Sequence, residues 1–144
     1  MSSAHKFDNG VLILDKHITA RQRERYARCN VHEEDEEEHF LEAVSRIPEG
    51  GLFLNVGTAV GYYPLLARRQ RPDIRIACVE PLPRFRENIR ENIALNGFNE
   101  EQFEILACGV SPEGKPVMIR DLGYTTSLKG AGKDSLTRKI KDLL

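Results

Sequence analysis

Apolar positions along this chain fall into two periods that alternate in blocks. Phe40, Leu41, Val44 and Ile47 recur at helical spacing behind the acidic run His32-Glu33-Glu34-Asp35-Glu36-Glu37-Glu38-His39, which predicts one amphipathic helix over residues 33–46. Its acidic first turn suits the positive end of the helix dipole, and Pro48-Glu49-Gly50-Gly51 ends it. Leu52-Phe53-Leu54-Asn55-Val56 is a short apolar run without alternation, the pattern of a parallel strand buried on both faces. A glycine-bounded turn follows at Gly57–Gly61, then a helix from Tyr62 to Arg71 with Pro64 in its first turn. Residues 74–80 form a second strand that is apolar until Glu80, and Pro81-Leu82-Pro83 turns the chain. Phe85, Ile89 and Ile93 stand at every fourth position of a helix over residues 84–96, with Gly97 as its C-cap. Phe103 to Cys108 reads as a third strand.

The flanks are less regular. Residues 1–10 read as a loose end, Val11–Leu14 as a strand or the start of a buried segment, and residues 19–29 as a charged surface helix. After the third strand come a turn at Ser111-Pro112-Glu113-Gly114 and a hairpin return strand over residues 116–120. Residues 123–135, rich in Gly, Ser and Thr, read as loop, and Leu136, Ile140 and Leu143 mark a short basic helix. Three units result: an N-terminal extension over 1–30, a core over 31–122, and a loop with a short helix over 123–144. Strands alternating with helices imply right-handed βαβ units on a parallel sheet. The expected class is α/β, a three-layer αβα arrangement that is the first half of a doubly wound, Rossmann-like nucleotide-binding fold.

Composition narrows the field without naming a function. The chain has 144 residues, one domain's worth, with 40% apolar and 30% charged side chains. The net charge of -1 gives no general attraction to nucleic acid or to an anionic membrane. No apolar run approaches the ~20 residues of a membrane span, and the start lacks a signal-peptide core. Cys29, Cys78 and Cys108 form no Cys-x-x-Cys pair, so a disulfide scaffold or structural zinc site is not expected and a cytoplasmic setting is.

Three features fall where such a fold binds an adenosine cofactor. Gly57 and Gly61 let the backbone turn sharply beside a ligand. Glu80, at the carboxyl end of the second strand, can accept hydrogen bonds from ribose hydroxyls. Cys108-Gly109-Val110, at the end of the third strand, should flank the adenine. A dinucleotide site wants Gly-x-Gly-x-x-Gly, and here position 59 is Ala, so that triplet is absent. The alternative is S-adenosylmethionine, which has no phosphate.

Asn55-Val56-Gly57-Thr58-Ala59-Val60-Gly61-Tyr62-Tyr63, then Val79-Glu80-Pro81-Leu82-Pro83, then Glu91-Asn92-Ile93-Ala94-Leu95-Asn96, resembles the FkbM-type S-adenosylmethionine-dependent methyltransferases over roughly residues 31–120. That resemblance implies a class I methyltransferase fold in which Asn55, Gly57, Thr58, Gly61, Tyr62, Glu80, Pro81, Cys108 and Gly109 surround the cofactor. Gly57, Thr58 and Gly61 would line its methionine part and Glu80 would hold its ribose. The chain departs from the family pattern in three ways, one of them Thr58-Ala59 in place of Ala-Asn. Asn55 stands where the family has Asp, which weakens the hold on the cofactor's ammonium group. The family's fourth strand, with its Lys-x-Asp-x-Glu-Gly stretch, has no counterpart after Arg120, so the C-terminal half of the sheet is expected to be truncated. The third-strand edge would then be exposed or covered by another chain, as in a homo-oligomer.

The resemblance implies methyl transfer to the hydroxyl of a small molecule or glycan, with the acidic block arguing against nucleic acid; no catalytic base stands out. The competing class is a non-catalytic or incomplete S-adenosylmethionine-binding module. His32 and His39 lie about 10 Å apart on a helix, too far for one metal ion, and no metal is expected. Cys78 and Cys108 read as core residues, the Asn88, Asn92 and Asn96 stripe as capping and loop hydrogen bonds, and the basic tail (Lys129, Lys133, Arg138, Lys139, Lys141) as a solvated face. Tyr62, Tyr63 and Tyr124 are candidates to border an acceptor pocket.

Overall fold

The computed structural model describes residues 3–114, 117–121, 126–127, 133–135 and 137–143; for residues 117–137 the description is of the backbone. In chain order the elements are strands β1 (Ala4–Lys6) and β2 (Leu12–Leu14), helices α1 (Ala20–Tyr26) and α2 (Glu37–Ser45), strand β3 (Leu52–Val56), helix α3 (Tyr62–Gln70), strand β4 (Arg75–Val79), helix α4 (Pro83–Leu95) and strands β5 (Glu104–Leu106), β6 (Gly109–Val110), β7 (Val117–Asp121), β8 (Thr126–Ser127), β9 (Lys133–Ser135) and β10 (Thr137–Arg138).

The centre is a three-stranded parallel sheet in the order β3-β4-β5, with Leu52 opposite Arg75 and Ala77 opposite Glu104. Side chains alternate across a sheet, so Phe53, Ile76, Cys78 and Ile105 share one face. All four helices pack into a single cluster on that face, through Tyr26 of α1, Val44 of α2, Leu65 and Leu66 of α3, and Ile89 and Ile93 of α4. Leu52, Leu54 and Val56 point the other way and stay partly exposed, Val56 at 49%. Ala77 and Val79 of β4 point to the same side and are buried. Strand β3 is not buried on both faces, although its apolar run suggested it. Both outer strands, β3 and β5, lack a neighbour on their outer side among the described residues.

The N-terminal residues depart furthest from expectation. The loose end is a hairpin: β1 and β2 pair antiparallel, and Phe7 and Val11 close it with an N–H to carbonyl bond of 2.9 Å while both side chains are buried. The far edge of β2 is satisfied by a helix instead of a strand. Asn96, the C-cap of α4, accepts the Leu12 amide at 2.9 Å and donates to the Leu12 carbonyl at 2.7 Å. Asn92, one turn earlier and fully buried, accepts the Leu14 amide at 3.0 Å and donates to the Val60 carbonyl at 2.8 Å. The asparagine stripe therefore docks the hairpin onto the core.

Helix α2 begins at Glu37, so the predicted span of 33–46 starts four residues too early. Residues before it form turns, and two of the acids are drawn out of solvent by tyrosines. After β5 the chain adds nothing to the central sheet among the described residues. Strand β6 pairs in parallel with β10, and β7 pairs antiparallel with β8 and β9. Part of the predicted 123–135 loop is therefore strand, and the predicted terminal helix is a single 3-10 turn at Ile140–Asp142 behind β10. Leu136 lies outside the described residues. No described helix is long and apolar enough to cross a membrane.

Candidate functional site

The site grows from the way β3 ends. Beyond Val56 the chain reverses through three left-handed residues, Gly57 (φ 76°), Ala59 (φ 51°) and Gly61 (φ 87°). Glycine enters that region without steric cost, while alanine is strained there. The turn is pinned from below: Gly57 and Thr58 donate to the Val79 carbonyl at 2.9 and 3.3 Å, and the Thr58 hydroxyl donates to the Asn55 carbonyl at 3.0 Å. Gly61 is the N-cap of α3.

Glu80 follows β4 and reaches back under the same turn. Its Oε2 accepts the Ala59 amide and its Oε1 the Leu82 amide, each at 3.0 Å, and the residue is only 4% exposed. Arg86, in the first turns of α4, donates to the carbonyls of Glu80 and Pro81 at 2.9 and 2.6 Å. The end of β4 is thus fixed to the glycine turn. A carboxylate oxygen carries two lone pairs, so each Glu80 oxygen keeps one for a further donor.

Above the turn lies a cleft of about 380 Å³. Four of the residues expected at a cofactor, Asn55, Gly57, Thr58 and Tyr62, line it, together with Val56, Ala59, Val60 and Tyr63. Gly61 and Glu80 sit behind the turn, and Pro81 follows Glu80. Cys108 and Gly109, at the start of β6, do not line this cleft. Cys108 is buried and its thiol is pushed up by burial; the Cys78 thiol, deep in β4, is pushed up to about 12 by the same cause.

The opposite wall comes from the N-terminal residues: Gln22 of α1, His32 and Glu33. His32 stacks on the Tyr62 ring with centroids 4.4 Å apart, and its Nδ1 lies 2.7 Å from the Tyr26 hydroxyl. Burial pulls the His32 imidazole below its ordinary value, against the opposing pull of Glu33. The Tyr62 hydroxyl donates to Glu37 and accepts from Asn9 at 2.6 Å, while Tyr63 donates to Glu33 at 2.6 Å. Both phenols are held above their usual value, first by burial and then by these carboxylates. The acidic block is therefore only partly a solvated helix start: Glu37 is buried and Glu33 half-buried, because buried phenol hydroxyls require acceptors. His39 is exposed and apart from His32. Tyr124 lies outside the described residues.

Gln22, His32 and Glu33 carry no motif, and their only sequence signal was the tyrosine pair at 62 and 63, which needs partners. Gln22 also borders a second hollow of about 490 Å³, lined by Arg21, Glu24 and Arg25 of α1 and by Arg28 just beyond it.

A turn of this form after the first strand, with a carboxylate at the end of the second, invites comparison with known proteins. The chain matches a solved S-adenosylmethionine-dependent methyltransferase from Agrobacterium tumefaciens with a TM-score of 0.52 at 14% identity, over 74% of this chain and 32% of that one. The fold is a methyltransferase fold. Among curated proteins, the ribosomal RNA small subunit methyltransferase G of Desulfotalea psychrophila is 31% identical over 97 residues, covering 63% of this chain and 42% of that protein. The chain is thus related in sequence to a methyltransferase and spans about two fifths of its length. No family model matches the chain.

Proposed function

We propose that this chain carries the cofactor-binding part of an S-adenosylmethionine-dependent methyltransferase. The observation that carries this reading is the cleft over the Gly57–Gly61 turn, with Glu80 held under the turn by the Ala59 amide. The donor set suits an adenosyl group with an amino-acid tail. Asn55 offers its side-chain carboxamide to the tail, and Glu80 has lone pairs for two ribose hydroxyls. When bound, the cofactor supplies an electrophilic methyl on a sulfonium. The chain's own part is to fix that group in line with an acceptor, and positioning alone lowers such barriers substantially. The left-handed turn brings backbone close to the ligand, and the stacked His32–Tyr62 pair walls it from the N-terminal side.

For the acceptor, the FkbM-type resemblance favours a hydroxyl of a small molecule or sugar. Glu33 on the cleft wall and the acids that follow it support an uncharged acceptor over a polyanion. A second reading has its own support. The curated relative is named for ribosomal RNA, and the arginines of α1 border a hollow that shares Gln22 with the cleft, a cationic flank for phosphates.

A methyl-transfer assay with labelled S-adenosylmethionine, run against ribosomal RNA and against glycans and hydroxylated metabolites, tests both. Label in a hydroxyl compound supports the first reading and label in RNA the second. Cofactor binding without any transfer identifies a binding module.

A further inference from the structure

S-adenosylmethionine carries two cationic groups, a sulfonium and an α-ammonium, and moving a cation into a partly buried cleft is costly without a counter-charge. Asn55 at the end of β3 offers only a neutral carboxamide. The oxygens of Glu80 are turned toward the Ala59 and Leu82 amides, and Glu37 is buried behind the Tyr62 hydroxyl. Among the described residues a single carboxylate lines the cleft, and it comes from outside the glycine motif: Glu33.

We propose that Glu33 is the counter-ion for the cofactor's α-ammonium, supplying from the N-terminal wall the charge that Asn55 lacks. This rests on the cofactor reading above. Glu33 shares the cleft with Asn55, Gly57 and Thr58, so a ligand lying along the turn has its tail between them. The Tyr63 hydroxyl donates to Glu33 Oε2 at 2.6 Å, which fixes the carboxylate and leaves Oε1 without a hydrogen-bond partner among the described residues. Burial holds the neighbouring His32 below its ordinary value, which disfavours an imidazolium that would compete for the carboxylate. The wall that carries Glu33 is anchored independently, through the Tyr26–His32 and Asn9–Tyr62 hydrogen bonds.

The test is calorimetry with two ligands, S-adenosylhomocysteine and 5′-methylthioadenosine, which share the nucleoside and sulfur and differ in the amino-acid tail. The parent protein is expected to bind both. Glu33→Gln should weaken S-adenosylhomocysteine about tenfold, the scale of a lost charge-assisted hydrogen bond, and leave methylthioadenosine unchanged. Adding Asn55→Asp to Glu33→Gln should recover most of that loss. Equal binding of S-adenosylhomocysteine by parent and variant overturns the proposal, as does an equal loss for both ligands, which would mark Glu33 as structural. Should the variant not fold, the deamino analogue of S-adenosylhomocysteine decides on the parent alone: binding as tight as the complete ligand overturns the proposal. If the parent binds neither nucleoside, the cofactor reading itself falls and takes this proposal with it.

Discussion

The backbone amide of Ala59 donates to Oε2 of Glu80 across 3.0 Å, and it does so from a left-handed conformation with φ of 51°. The bond holds a strained residue in place, and it ties the turn after β3 to the end of β4. The Gly57 and Thr58 amides reinforce the tie by donating to Val79.

Alanine in the left-handed region costs about 1 kcal/mol relative to glycine, partly offset by glycine's greater freedom in the unfolded chain. Ala59→Gly is therefore expected to raise stability by a few tenths of a kcal/mol. Ala59→Val should lower it, since branching at Cβ worsens the strain. Thermal unfolding of the two variants checks this, and a destabilised Ala59→Gly protein would contradict it.

Glu80→Ala should have two effects. Cofactor binding is expected to weaken by about 1–3 kcal/mol through lost hydrogen bonds to a charged acceptor. The melting temperature should also fall, because the Ala59 and Leu82 amides lose their acceptors. Calorimetry with S-adenosylhomocysteine, alongside a melt of the free protein, separates the two. Unchanged affinity would remove Glu80 from the binding site.

Asn92 is fully buried and bonds to Leu14, to Val60 and, at 3.1 Å, to His17. Asn92→Ala leaves those groups without a buried partner and should cost about 2–4 kcal/mol. Urea denaturation measures it. A cost under about 0.5 kcal/mol would mean that the hairpin is not held by this side chain.

His17 and His32 are both pulled below their ordinary value of 6.5, each mainly by burial. Around His17, Glu91 opposes the shift and Lys16 adds to it; around His32, Glu33 and Glu37 oppose it and Arg25 adds to it. In both cases the unfolded chain takes up a proton at higher pH than the folded one. Stability is then full above the unfolded value and is lost as pH falls through the folded values. Melting temperatures should decline between about pH 7 and pH 5, and His32→Gln should flatten the decline. A profile with the same slope in parent and variant would exclude His32 as a contributor.

The part of the molecule that was legible in the sequence is the part whose pattern local physics fully determines. Ile76–Val79 is apolar without alternation because β4 is the buried middle strand of a parallel sheet, and Phe85, Ile89 and Ile93 mark the buried face of α4. Gly57 and Gly61 announced their turn because few other residues take that backbone. The hairpin was illegible because Ala4-His5-Lys6 has no hydrophobic period, and its stability comes from Asn92 and Asn96, almost eighty residues or more away in the chain. A shorter separation, 30 residues between Glu33 and Tyr63, was still enough to hide His32 and Glu33. Their place on the cleft depends on how the N-terminal residues fold back over the turn, which no local spacing encodes. The acidic run misled for a related reason: charge suggested a solvated face, and the hydroxyls of Tyr62 and Tyr63 drew two of the carboxylates inward.

The pairing of Asn92 and Asn96 with Leu14 and Leu12 sets a helix against a strand as a vernier. Four residues of helix advance about 6 Å and two residues of strand nearly 7 Å, and each helical step of four also rotates by about 40°. Two graduations of such scales coincide well; a third would be displaced both along and around the helix. Strand β2 stops after Leu14 and coils into a 3-10 turn at Asp15–His17, where the third graduation would fall. The length of the hairpin is thus set by a mismatch of pitches, and a longer strand grafted at this position would have to find a different partner from Asn88 onward.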